Sequence, residues 1–146
     1  MFITMKKFLE LPSFRKSLYI ETLLNLARAR VLRSRTFIKV APHLGEESKE
    51  TPLTISSDQF IIKEISRTID IMSKYTFWQS TCLVQAIAAM KMLEKRKIES
   101  TLYLGTARDE DGKMIAHAWL RSGRFYVTGR ANMTKFTPVR SFAKFI

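Results

Sequence analysis

Apolar side chains recur along this chain with different periods, and each period predicts a different element. After Pro12-Ser13, the segment from Phe14 to about Arg35 can place Leu23, Leu24, Leu26, Ala27, Val31 and Leu32 on one broad face, the pattern of an amphipathic helix. Arg28, Arg30, Arg33 and Arg35 crowd its last turns, where basic groups suit the negative end of a helix dipole. Beyond Ser57-Asp58, a pair suited to helix capping, Ile61, Ile65, Ile69 and Met72 follow at steps of four, four and three and predict a second amphipathic helix to about Lys74. A third helix starts at Cys82, behind the capping pair Ser80-Thr81. In Cys-Leu-Val-Gln-Ala-Ile-Ala-Ala-Met-Lys-Met-Leu only Gln85 and Lys91 are polar, and a helix apolar nearly all round is a buried one.

From Ser100 onward the pattern is that of strands. Ser100 to Ala107 and Met114 to Leu120 predict two strands, joined through Arg108-Asp109-Glu110-Asp111-Gly112-Lys113, whose Asp-Gly is a hairpin signal. Ser122-Gly123-Arg124 turns the chain into a third strand, Phe125 to Thr128. Phe136 to Phe142 adds a fourth, placed at the sheet edge because Pro138 cannot donate to a ladder. Thr36 to Ser57 shows neither period, holds Pro42, Gly45, Pro52 and the acids Glu46, Glu47 and Glu50, and reads as a surface connection. The fold class is therefore α+β in one domain over 1–146: a helical part over 13–75, then a buried helix and an antiparallel sheet over 76–146. No internal repeat or low-complexity tract interrupts it.

Composition narrows the function. With 46% apolar residues, 146 residues can bury a real core. The net charge of +12 is concentrated at the two ends: residues 1–45 carry nine basic and two acidic groups, residues 112–146 seven basic and none acidic. An acidic partner fits such ends. A basic nucleic-acid-binding module is one reading of the charge, but no helix-turn-helix, ribonucleoprotein or zinc signature accompanies it, and nucleic acid is not the expected partner. One cysteine excludes an internal disulfide, and with two histidines it falls short of a structural zinc site. Without a Gly-rich phosphate loop either, no metal or other cofactor is expected. Met1 to Leu11 lacks the apolar core of a secretory signal, and Leu18 to Leu32 is broken by Glu21, Asn25, Arg28 and Arg30, far short of the roughly 20 apolar residues of a membrane span. The expected compartment is the cytoplasm.

One pair of residues carries candidate chemistry. A thiol in the first turn of a helix faces unpaired backbone N–H groups and the positive end of the dipole, which favour thiolate over thiol. Cys82 is placed there. The same N–H groups can hold the oxyanion formed when a carbonyl is attacked. His117, in a strand expected beside that helix, can take and return the proton. Gln79 is a candidate side-chain donor to the oxyanion. The competing readings are an inert core cysteine and a histidine satisfied by a backbone group.

The segments Trp78-Gln79-Ser80-Thr81-Cys82-Leu83-Val84-Gln85-Ala86, Leu102-Tyr103-Leu104-Gly105 and Ala116-His117-Ala118-Trp119-Leu120, with Ala41-Pro42-His43-Leu44-Gly45 after a basic helix, resemble the transglutaminase-like leader peptidases of lasso-peptide biosynthesis, the B proteins. The resemblance runs from about Phe14 to Phe142. It implies a papain-like, transglutaminase-like core, with Cys82 as nucleophile and His117 as base, cutting the leader from a ribosomal precursor peptide. It also implies a Thr next to last in the leader as specificity anchor, for which Trp78 and Trp119 are candidate substrate-binding residues.

Two departures from the family pattern follow. The family commonly completes its triad with an Asp about a dozen residues after the His, but no Asp, Glu or Gln follows His117 here. Asn132 is the only amide side chain available, and Cys-His-Asn is a known variant of the triad. Thr128, a backbone carbonyl, or Asp109, Glu110 or Asp111 folding back from the hairpin are the alternatives. Fused members begin with a small leader-recognition domain, for which the helix starting by residue 14 leaves no room. The resemblance therefore implies the free-standing peptidase half of a split B protein, with a separate recognition-element protein as partner and an asparagine-synthetase-like cyclase receiving the core peptide. A non-catalytic peptide-binding scaffold of the same fold, and an acyltransferase or transglutaminase, are the readings that stand beside it.

Overall fold

A computed structural model describes residues 12–33, 41–54, 58–76, 81–131 and 133–146, the side chains of Arg33 and His43 excepted. Three helices precede most of the sheet: α1 (Ser13–Arg33), α2 (Gln59–Met72) and α3 (Cys82–Lys95). In α3, Val84, Ala86 to Met90, Met92 and Leu93 are all buried, as its all-round apolar sequence requires. The helix packs against α1 and α2 and against the sheet, and α2 also reaches the sheet directly, Ser66 Oγ donating to the Val127 carbonyl at 2.6 Å. Ile62, Ile65 and Ile69 of α2 face it, essentially without exposure, and Ile61 and Met72 pack at the margin.

The buried face of α1 differs from the expected one. Leu23, Leu24 and Val31 are exposed, and the stripe that packs inward is Leu18, Thr22, Leu26 and Ala29, at steps of four, four and three. Thr22 disguises this period in the sequence because it is polar. Its hydroxyl donates back to the Leu18 carbonyl at 2.7 Å, which satisfies it inside the core. Two sets of ion pairs tie α1 to its neighbours: near its start Arg15 binds Glu64 of α2 at 3.2 Å, and at its middle Glu21 takes Arg96 at 2.7 Å and Lys95 at 3.0 Å, at the C-terminal end of α3.

The sheet is antiparallel throughout, in the order β1 (Glu46–Glu47), β5 (Thr137–Lys144), β2 (Ser100–Arg108), β3 (Met114–Ser122), β4 (Phe125–Thr128). Leu102 pairs with Leu120 on one side and Phe142 on the other, and these three, with Ala118, form the inner face under α3. β5 is not the edge strand that Pro138 suggested. It is inserted between β2 and the two-residue β1, which reaches it only at Phe142 and Ala143. Among the described residues no strand lies outside β5 at Pro138, and on the inner side Pro138 pairs with Gly105 beside an irregularity in the ladder, where a proline is tolerated. Two consecutive glutamates carry no strand period, and β1 was hidden in what reads as a loop.

This topology decides where the site forms. β2, β3 and β4 make a meander, after which residues 129–131 and 133–136 lie across the ends of β3 and β2 before β5. The crossing passes over the register position where His117 opposes Gly105. Lower on the same face, buried Arg121 ties the segment at Thr51 to the sheet: Nη2 donates to the Thr51 carbonyl at 3.0 Å, Nη1 to that of Gly123 at 2.8 Å, and Nε to Tyr103 Oη at 3.1 Å. Among the described residues no helix is long and apolar enough to cross a membrane.

Candidate active site

Thr81 is extended, with φ −72° and ψ 175°, and the chain turns into α3 at Cys82. Thr81 holds the cap position by its backbone alone: its carbonyl accepts from Gln85 N–H at 2.9 Å, and its side chain makes no cap bond. The N–H groups of Cys82, Leu83 and Val84 consequently have no acceptor within the helix and mark its positive end. The Cys82 thiol beside them is half-buried and free.

His117 lies in the first half of β3, opposite Gly105. Its Nε2 is 2.8 Å from the carbonyl oxygen of Gly129. A carbonyl can only accept, so Nε2 carries the proton and the lone pair of the neutral ring sits on Nδ1. Gly129 reaches this position with φ +72°, and a Cβ there would fall 2.4 Å from the Ala118 carbonyl oxygen. Glycine is required for both reasons.

Two aromatic rings hold the imidazole from its sides. Phe136, arriving at the far end of the crossing segment, stands 5.0 Å from it between centroids, and Trp119 stacks at 5.8 Å. Trp119 stacks in turn on Tyr103 at 5.6 Å. Gly105 makes room for this column, since a Cβ there would meet the Trp119 ring at 2.7 Å and the Phe136 Cβ at 3.1 Å. Burial, and then the hydrogen bond to the Glu50 carboxylate, raise the Tyr103 hydroxyl above its ordinary range, so it stays a neutral donor at the foot of the column.

Cys82 and His117 line one open cavity of about 570 Å³. Lys63, Arg67 and Asp70 of α2 form part of its wall, and Thr128, Gly129 and Arg130 another. Of the residues expected at the site, Cys82, His117 and Thr128 border this cavity. Thr128 borders the same cavity, but its buried hydroxyl has no hydrogen-bond partner, and the imidazole is held instead by the next residue's main chain. Trp119 is buried beneath His117 and does not line the cavity, so its ring is a support for the histidine and not an open substrate wall. Asp109 does not fold back: its Oδ1 accepts the N–H groups of Asp111 and Lys113, both at 2.9 Å, within its own turn. Asn132, Gln79 and Trp78 lie outside the described residues. Among the described residues, no three His, Cys, Asp or Glu side chains cluster as metal ligands would.

A backbone carbonyl was among the expected partners of His117, also in the reading without catalysis, and Gly129 supplies it; Phe136 and Gly105 are neighbours of the imidazole that side-chain reasoning did not single out. The one signal for Gly129 was its place directly after a strand, in Val127-Thr128-Gly129-Arg130, where a positive φ ends a strand.

The family model of the transglutaminase-like superfamily matches residues 22–141, from within α1 to within β5, and so spans the whole cavity. The chain belongs to the transglutaminase-like superfamily. That superfamily includes cysteine peptidases and transglutaminases. No curated protein and no solved structure matches the chain. The transglutaminase-like assignment accounts for the α+β order seen here, a helix with cysteine at its start followed by an antiparallel sheet.

Proposed function

We propose that the chain is a cysteine peptidase that removes the leader from a ribosomally made lasso-peptide precursor, through an acyl-enzyme on Cys82 with His117 as general base. The single observation that supports the chemistry is that Cys82 and His117 line one cavity, with Nε2 of His117 2.8 Å from the Gly129 carbonyl oxygen. In this reading Nδ1 takes the thiol proton, the thiolate attacks the scissile carbonyl, and the N–H groups at the start of α3 hold the oxyanion. The imidazolium then protonates the leaving amine as the C–N bond breaks. Water, deprotonated by the same imidazole, releases the acyl group from sulfur. The enzyme works as a Cys–His dyad oriented by a main-chain carbonyl.

The lasso-peptide assignment rests on the resemblance carried by Trp78 to Ala86, Leu102 to Gly105 and Ala116 to Leu120. With it come the precursor peptide as substrate, a separate leader-recognition-element protein, an asparagine-synthetase-like cyclase downstream, and the cytoplasm as compartment. A transglutaminase or acyltransferase shares every step up to the acyl-enzyme and differs only in having an amine, not water, as acceptor.

The test is cleavage of the precursor by the purified chain with its leader-binding partner, followed by mass spectrometry. Cys82→Ala and His117→Ala are expected to abolish cleavage with unchanged circular dichroism. Near wild-type cleavage by Cys82→Ala would overturn the peptidase reading. A product conjugated to an added amine in preference to the free acid would shift it to acyl transfer.

A further inference from the structure

We infer that the cavity beside Cys82 selects peptide substrates that carry a carboxylate side chain close to the bond that is cut. The inference rests on the reading of Cys82 and His117 as the reacting pair, and it adds the chemical class of the substrate that this pair meets.

The cavity wall is cationic. Lys63 and Arg67 stand four residues apart on α2 and so share a face, and Arg130 enters from the segment after β4. Asp70 is the only carboxylate in the described wall, and Lys74 already lies 3.7 Å from it. Arg67 is 3.8 Å from one oxygen of Glu64, but Arg15 holds the other at 3.2 Å, so the three together keep a net positive charge. Lys63 and Arg130 are exposed, and no carboxylate among the described residues pairs with either. The nearest acidic cluster in the strand register, Asp109, Glu110 and Asp111, is flanked by Arg108 and Lys113 and sums to a single negative charge. Its Asp109 is committed to the turn.

Two further features favour a peptide carboxylate over a bare anion. Ile69, Phe125 and Val127 give the wall an apolar component, and a volume of about 570 Å³ falls in the range of about 300–1,000 Å³ usual for sites that enclose an organic ligand. The occupant must also present a carbonyl to Cys82. A peptide segment with an Asp or Glu side chain meets all three demands, its charge accepting from Lys63 or Arg130 while its backbone lies against the thiol.

Because Cys82 is the chain's only cysteine, alkylation reads the potential at the site directly. Iodoacetate and iodoacetamide both consume the thiolate, so the ratio of their rates is independent of how much thiolate is present and reports the attraction of a carboxylate to the cavity. We expect that ratio to exceed the ratio for N-acetylcysteine amide by about tenfold at low salt, to fall as salt screens the wall, and to drop in Lys63→Glu and Arg130→Glu. Lys63→Met and Arg130→Gln, which remove charge from exposed positions without reversing it, should fall between. A ratio equal to that of the free thiol, in a chain whose circular dichroism is native, overturns the inference. In the peptide arm, precursors with Asp or Asn at each position within three residues of the scissile bond are compared. At one position Asp is expected to be favoured about tenfold or more in kcat/KM, chiefly through KM. Cleavage with no such preference overturns the inference and leaves the peptidase reading intact. A strong iodoacetate preference in a chain that cuts no precursor supports the charged cavity and overturns the peptidase reading instead.

Discussion

The Nε2 of His117 lies 2.8 Å from the carbonyl oxygen of Gly129, so a main-chain group occupies the place that the resembled family usually gives to an Asp side chain. A neutral carbonyl fixes the tautomer as a carboxylate would, but it adds no negative charge beside the imidazolium. The choice of a main-chain acceptor makes the Nε2 bond depend on the path of the crossing segment and not on an acidic or amide side chain.

The first prediction follows from that dependence. Asn132→Ala and Thr128→Val should each leave kcat/KM within about threefold of wild type, because neither side chain is needed for the Nε2 bond. Gly129→Ala should lower it about a hundredfold or more, since the added Cβ, 2.4 Å from the Ala118 carbonyl oxygen, drives the acceptor out of place. Steady-state cleavage kinetics decide the matter. A hundredfold loss in Asn132→Ala would return the positioning role to that side chain.

Phe136 should act on turnover more than on binding. Its ring closes one side of the imidazole at 5.0 Å, so Phe136→Ala frees the histidine to rotate and is expected to lower kcat about tenfold or more with KM little changed. Phe136→Tyr keeps the ring and should restore most of the rate. Equal losses in the alanine and tyrosine variants would show that the ring is not what holds the histidine.

Gly105→Ala separates packing from chemistry. The new methyl would sit 2.7 Å from the Trp119 ring, and overpacking of this kind costs about 1–3 kcal/mol. Urea unfolding should report that loss. Turnover, measured well below the unfolding midpoint, should fall too, because the displaced tryptophan pushes on His117. Unchanged turnover in a destabilised variant would uncouple the column from the site.

The pairing of Glu21 sets an acid limit on the docking of α1. Burial alone would raise its carboxyl, but hydrogen bonds and charge from Arg96 and Lys95 outweigh it and hold it below the usual 4.5. A group depressed in the folded chain contributes stability that is complete above the unfolded value and is lost as pH falls through the folded one. Glu21→Gln should therefore lower the melting temperature by a few degrees near neutrality, and the gap to wild type should close as the pH is taken below about 4.5. A gap of constant size across that range would mean that the carboxylate charge contributes nothing.

Much of this arrangement was legible in the sequence where one period dominated. The apolar run from Cys82 marked α3 and its burial, and the alternation about Asp111-Gly112 marked the β2–β3 hairpin, so Cys82 could be placed at a helix start and His117 in a strand from the residues alone. What stayed hidden had no side-chain signature. Thr22 buries a polar group that bonds its own helix, which shifts the apparent face of α1. The two glutamates of β1 form a strand only because β5 supplies the partner, and that pairing turned an expected edge into an interior position. The acceptor for His117 is a peptide carbonyl, a group that every residue possesses and no motif can mark.

The segment between β4 and β5 also imposes an order of assembly on the proposed chemistry. The cysteine and its helix make most of their contacts with α1, α2 and the β2–β3–β4 meander, which precede residue 129, and Phe142 of β5 completes the face under the helix. The proposed base is different: its acceptor is at position 129 and one of its flanking rings at position 136, directly before β5, which pairs with β2. A growing chain therefore carries a thiol well before it carries a held imidazole. On the proposed chemistry, competence arrives with the pairing of the last strand, after the thiol and its helix are already in place.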